Sequence, residues 1–292
     1  MWEDFFERFD LRSVKLDSKA INVWYYVLPL IPILCGSFLG AEGGDFRFAP
    51  FLFLILTAAC FRLAFSLWYG NARESETVTV RPNEYFFCPE QKLLDPLARR
   101  ALLAVALVLT VIFGLLLCIT GGFGLLAFLV LALAGSAAVS FGLDTKWAGA
   151  TVFLVFFCEG FLLTTLAFYA QCGYFSSSAL VASLPVGFTA AALQFADEAS
   201  HRRRDAAWSL KTLGTRVDAD NAAKLLLALI VAAYVFVALN FLYGVTGLWP
   251  LFLFALIYLL KKQGYRDRHA IFLFYIEFGF AYAFLLLLRF AF

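Results

Sequence analysis

An all-α, polytopic membrane protein is the fold class this chain predicts, and three observations predict it. Of 292 residues, 63% are hydrophobic and only 15% are charged, a balance outside the range of soluble globular domains. The apolar residues gather into runs of about 20, the length at which one helix crosses a bilayer while satisfying its own backbone. Lysines and arginines alternate between the connections, dense in one and sparse in the next. A soluble enzyme is excluded. The net charge of +2 gives no reason to expect a nucleic-acid partner.

The chain opens on Trp2, Phe5, Phe6 and Phe9, spaced i, i+3, i+4, i+7, with Glu3, Asp4, Glu7 and Arg8 opposite. That pattern predicts an amphipathic segment over 1–21, lying in the membrane interface or packed on a loop. Its charge density argues against a cleavable signal peptide. The rest, 22–292, reads as one domain of nine spans, near 22–40, 50–69, 101–120, 123–142, 148–170, 178–197, 225–242, 247–260 and 270–288. The eighth is short and begins beside Trp249 and Pro250. Pro29, Pro32 and Pro185 predict kinks that open space between helices. The six cysteines show no metal-ligand spacing, and most sit in apolar runs, as small core residues do.

Counting Lys and Arg from the N-terminus through successive connections gives four, one, five, none, one, none, six, none and four. The large numbers share one side, so the N-terminus and the charged loops are expected in the cytoplasm of a plasma (inner) membrane protein. Three charges fall well inside spans: Arg62, Glu159 and Glu277. Such groups are expected to face the bundle interior, and Arg62 has a glutamate as an available partner.

The chemistry concentrates in 194–221, which holds five carboxylates and five Lys or Arg between apolar segments. Asp197, His201 and Asp205 are spaced by four, so a continuing helix would place them on one face. Arg202, Arg203 and Arg204 are interleaved with that face, and Lys211 follows two turns on. Acids able to hold a divalent cation beside bases able to grip phosphate point to a metal–diphosphate ligand. A solvated loop obeying the positive-inside rule would also account for the arginines.

The run from Leu184-Pro185-Val186-Gly187 through Asp197 and Asp205 to Lys211-Thr212-Leu213 resembles the second half-site of the UbiA-type intramembrane prenyltransferases. Asp205 matches the last aspartate of that family's DxxxD, Lys211-Thr212-Leu213 matches the basic element after it, and His201 stands where the first aspartate would be. The segment from Tyr26 to Gly40 is similar to the family's first helix. The other family motif, NxxxDxxxD, would fall at Tyr69, Arg73 and Thr77, or at Asn71, Ser75 and Thr79, none of them acidic. Glu74 and Glu76 stand close by as substitutes. A histidine there points to a metal other than magnesium, a direct hydrogen bond to phosphate, or no metal at all, and it also reads as an ordinary polar residue at a helix end.

What the resemblance implies is a nine-helix bundle that binds a prenyl diphosphate at its cytoplasmic mouth and runs the tail into the lipid bilayer. Asp197, Glu198 and Asp205, with Glu74 or Glu76, would hold Mg2+. Lys211, Arg202 to Arg204, His201 and Asn71 would hold the diphosphate, and Asp197 and Asp205 would be catalytic. An aromatic or other lipophilic acceptor would capture the allylic cation. The alternative is a catalytically inactive isoprenoid- or quinone-binding or transport protein on the same scaffold.

Overall fold

The computed structural model describes residues 27–41, 45–74, 96–140, 149–207, 211–244 and 268–288. The amphipathic segment 1–21 and the span expected at 247–260 lie outside them. All the described elements are helices: α1 Leu30–Gly40, α2 Phe48–Glu74, α3 Pro96–Gly121, α4 Leu125–Ser140, α5 Ala150–Cys172, α6 Ser177–Ser200, α7 Arg202–Ala207, α8 Leu213–Arg216, α9 Ala219–Leu242 and α10 Arg268–Leu288. Six of them, α2, α3, α5, α6, α9 and α10, are long and apolar enough to cross a membrane, and α1 and α4 are shorter apolar helices. The chain is an integral membrane protein built as a helical bundle. Its α9 begins six residues before the expected 225, because Asp218 caps it by accepting from the Asn221 N–H at 2.7 Å and the first turn is charged.

Helix α6 is the axis of the bundle. In its apolar window 78% of residues are buried, against 28% for α3. It packs against α9, against the middle of α5 and against α10. Two apolar clusters flank α1 and α5. Ile31, Cys35 and Leu39 join the cluster shared with α6, α9 and α10, while Ile33 turns to the one shared with α2, α3 and α4. In a bilayer apolar surface alone does not choose a partner, so small residues and polar contacts set these crossings.

Glycines mark the closest approaches. Gly36 and Gly40 stand four apart on α1, and a Cβ on Gly36 would lie 2.0 Å from the Thr164 carbonyl oxygen of α5. Gly160 meets Gly187 of α6 so closely that a Cβ on it would lie 2.3 Å from the Gly187 Cα. Around Gly160 the helix α5 widens into a π-helical stretch, Val155–Leu162, a form that concentrates at functional sites.

Pro29 and Pro185, two of the positions where kinks are expected, stand in different settings. Val27 is helical, Leu28 and Pro29 form a turn, and α1 starts at Leu30. In α6 the helix runs through Pro185, which cannot donate to the Val181 carbonyl. Asn240 of α9 supplies the missing donor, its Nδ2 lying 3.4 Å from that oxygen and 3.3 Å from the Tyr282 hydroxyl. Tyr282 of α10 donates to the next carbonyl, that of Ala182, at 3.1 Å. One proline thus ties three helices together.

At the same end of the bundle Arg47 clamps two helix C-termini. Its guanidinium donates to the carbonyls of Thr120 in α3 and Ala170 in α5, and its backbone pairs with the Gln171 amide. A cation on exposed C-terminal carbonyls complements both helix dipoles.

Arg62 of α2 does find a glutamate. Its Nη2 lies 2.5 Å from Oε2 of Glu159, in the π-helical stretch. Glu277, expected inside, is exposed among the described residues. Cys35, Cys60, Cys118, Cys158 and Cys172 are in no disulfide.

Candidate functional site

At its charged end α6 carries two acids, Asp197 and Glu198, and α7 adds a third, Asp205, next to a run of bases. Backbone hydrogen bonds of helical spacing run through the α6–α7 junction, from the His201 N–H to the Asp197 carbonyl and from the Asp205 N–H to the His201 carbonyl. The row Asp197, His201, Asp205 therefore persists although α6 ends at Ser200. Asp197 and Asp205 are each only 2% exposed, whereas Arg203 and Lys211 are exposed and Arg202 is half-buried. Buried acids lie beneath a rim of bases.

Glu198, adjacent to Asp197 but about 100° further round the helix, does something different. Its Oε1 accepts from Gln194 Nε2 at 3.0 Å, one turn back, and its Oε2 accepts from the Leu213 backbone N–H, also at 3.0 Å. That N–H is an orphan donor at the start of α8. Gly214 then lies flat on α6, where a Cβ would come within 2.4 Å of the Glu198 carbonyl oxygen. Thr212 caps α8 through Thr215. Together these contacts pin the segment 211–214, with Lys211 at its edge, against the acidic end of α6. Glu198 was expected to hold metal, and both its oxygens are engaged inside the protein.

His201 is held through Nδ1. Nδ1 lies 3.0 Å from the Asp197 carbonyl oxygen, 3.1 Å from Ser200 Oγ and 3.4 Å from the Asp197 carboxylate. A carbonyl only accepts, so in the neutral ring Nδ1 carries the hydrogen and Nε2 keeps its lone pair. Metal-binding histidines are fixed in the same way. The sequence showed the spacing of this row but not the tautomer, nor the Glu198 brace, whose one visible signal was Gln194 four residues before it.

Asn71 and Glu74 fall on the last turns of α2. Their side chains, with those of Glu76 and Arg204, lie outside the described residues. Among the described residues no three His, Cys, Asp or Glu side chains converge as a metal cluster. Asp197 and Asp205, two turns or about 12 Å of helix rise apart, each contribute one buried carboxylate at this end. Magnesium keeps several waters and is commonly bound by one or two carboxylates beside substrate phosphate oxygens.

Fold and site together define a membrane-embedded helical bundle with a buried acidic row and a basic rim at one end. No family model and no curated protein matches the sequence. Among solved structures, one from work on digeranylgeranylglyceryl phosphate synthase in membranes has the same fold. It gives a TM-score of 0.56 at 13% identity, over 90% of this chain and 93% of that one. At that identity the likeness is one of fold.

Proposed function

We propose that the protein is a divergent intramembrane prenyltransferase, which binds a prenyl diphosphate at the charged end of the bundle and passes the prenyl group to a lipophilic acceptor. The observation that carries this reading is buried Asp197 and Asp205, with half-buried His201 between them in sequence, at the same end of the bundle as exposed Arg203 and Lys211, in a bundle with the fold of a membrane prenyltransferase. Two buried carboxylates on either side of a histidine are suited to a cation that arrives with its ligand. Exposed bases at the rim are suited to the ligand's anionic oxygens.

In this reading Asp197 and Asp205 would hold Mg2+, which when bound neutralises charge on the leaving diphosphate. Lys211, Arg202 and Arg203 grip the diphosphate oxygens and orient the carbon–oxygen bond toward the bundle. Glu198 keeps Lys211 in place rather than touching the ligand. The prenyl tail lies among the predominantly apolar helices, and water is excluded from the carbon that becomes cationic.

The test is diphosphate release by protein purified into nanodiscs, supplied with geranylgeranyl or shorter prenyl diphosphates, phenolic or aliphatic acceptors, and magnesium. Acceptor-dependent release is the expected result. Tight binding of the diphosphate with no release under any of these conditions would identify an isoprenoid-binding protein on the same scaffold instead.

A further inference from the structure

We propose that the buried Arg62–Glu159 pair is a binding site for the hydroxyl group of a neutral lipophilic molecule, and that Glu159 takes up that hydroxyl's proton. The two side chains are 8% and 12% exposed, deep in helices that cross the membrane. Ionisable groups kept at such depth mark ligand or proton sites more often than structure. Glu159 also sits within the π-helical stretch Val155–Leu162, where the helix departs from regular α geometry.

Two cavities meet at the pair. The smaller has room for about one water molecule and is lined by Arg62, Glu159, Ala190, Leu193 and Tyr275 among others. The larger, with room for a few waters or one small polar head group, lies on the α2 and α4 side, where Thr57 and Ser136 are the uncharged hydroxyls of its wall. Ala58, Phe61 and Leu133 in that wall are partly exposed, so a ligand whose polar end reaches the pair can keep its apolar body toward the bundle surface.

The chemistry of the pair selects the ligand class. Arginine and carboxylate together are neutral, so neither an anion nor a cation gains by replacing one partner and stranding the other. A hydroxyl fits without separating their charges, since it donates to Glu159 while accepting from Arg62. An ether can only accept, and leaves the Glu159 side of the site unused.

The site is also connected to the charged end of the bundle. Ala190, Leu193 and Asp197 are spaced i, i+3, i+7 and share one face of α6. Leu193 in the cavity wall is about 6 Å of helix rise below Asp197. On the prenyl-transfer reading, on which this step rests, the bound molecule is the acceptor. Its oxygen bonds to C1 of the prenyl group, or in a phenol a ring carbon does. The C1–O bond to diphosphate breaks with its electron pair leaving on diphosphate, and the acceptor's proton passes to the Glu159 carboxylate.

Protein in nanodiscs is titrated with p-hexylphenol and with decanol, each beside its methyl ether, and with p-hexylbenzoate, while the thermal midpoint is followed. Both hydroxyl compounds, or one of them, should raise the midpoint by several degrees over the matching ether; which one responds tells a phenol from an aliphatic alcohol. The double variant Arg62→Met with Glu159→Leu removes both charges together and should lose the difference. An ether as effective as its alcohol, a response led by the benzoate, or an undiminished response in the double variant would overturn the site. Should the double variant not fold, the wild-type comparison of hydroxyl, ether and carboxylate decides alone. In turnover, Glu159→Gln should lower kcat at least tenfold with the KM for prenyl diphosphate unchanged, and an unchanged kcat would overturn the proton role. Hydroxyl-selective stabilisation without diphosphate release would sink prenyl transfer and leave the site standing. Release with no hydroxyl selectivity would do the reverse.

Discussion

The Glu198 carboxylate accepts a hydrogen bond from the Leu213 backbone N–H at 3.0 Å, across fifteen positions of chain, and this contact sets Lys211 beside the acidic end of α6. Replacing Glu198 with Ala removes a charged acceptor and strands that N–H, a loss of about 1.5–3 kcal/mol. Glu198→Gln keeps the size and one acceptor oxygen, and Gln194 can turn its amide to suit. The expected outcome is a lower thermal midpoint for Glu198→Ala and a nearly normal one for Glu198→Gln. A Gln variant that is stable yet inactive would show instead that the carboxylate meets the ligand.

Gly36 and Gly160 should tolerate no side chain. At Gly36 a Cβ meets backbone of α5 and at Gly160 it meets backbone of α6, so neither clash can be relieved by a rotamer change. Gly173 has a φ of +79° and open space around it, so Gly173→Ala costs only the strain of a left-handed residue, about 1 kcal/mol. Size-exclusion profiles of detergent-solubilised protein should show Gly36→Ala and Gly160→Ala aggregated and Gly173→Ala monodisperse. Normal profiles for the first two would mean that the helices sit further apart.

Most of the element order was legible because a bilayer leaves a long apolar run little choice but to be a helix. The expected span at 101–120 lies inside α3, and 178–197 lies inside α6. The pairing of helices was not legible. Lipid and protein interior are both apolar, so nothing in the hydropathy separates the buried face of α6 from the exposed face of α3. The determinants are single residues without a periodic signature: Gly160 against Gly187, Asn240 against Val181. The lone Arg47 of its connection was visible, but its partners Thr120 and Ala170 lie far away in sequence. At the site the spacing of Asp197, His201 and Asp205 could be read directly. The separate role of Glu198 could not, because two adjacent acids look alike until the segment 211–214 folds back on one of them.

Pro185 and Asn240 should be energetically coupled. Asn240→Ala leaves the Val181 carbonyl without its donor in the described contacts and also removes a partner of Tyr282, a loss of about 1–3 kcal/mol. Pro185→Ala restores a backbone N–H able to reach Val181. In the Pro185→Ala background the cost of Asn240→Ala should therefore fall by at least half, as measured by a double-mutant cycle on thermal or denaturant unfolding. Strict additivity would mean that Asn240 acts through Tyr282 alone.

The acidic row itself gives the sharpest separation between enzyme and binder. Asp197 and Asp205 are both 2% exposed, so Asn at either position keeps the packing while removing the negative charge. If the pair holds the cation that the diphosphate brings, each substitution should slow release roughly a hundredfold, about 3 kcal/mol of transition-state stabilisation. The thermal midpoint without ligand should stay near that of the parent. Lys211→Gln should act on binding instead, raising the KM for prenyl diphosphate several-fold, since it removes charge from the exposed rim without altering the buried row. His201→Asp converts the row to three carboxylates, so half-maximal rate should be reached at about tenfold less magnesium. Parent-like rates in both Asn variants would remove the aspartates from the chemistry. An unchanged magnesium requirement in His201→Asp would place His201 outside the cation's reach.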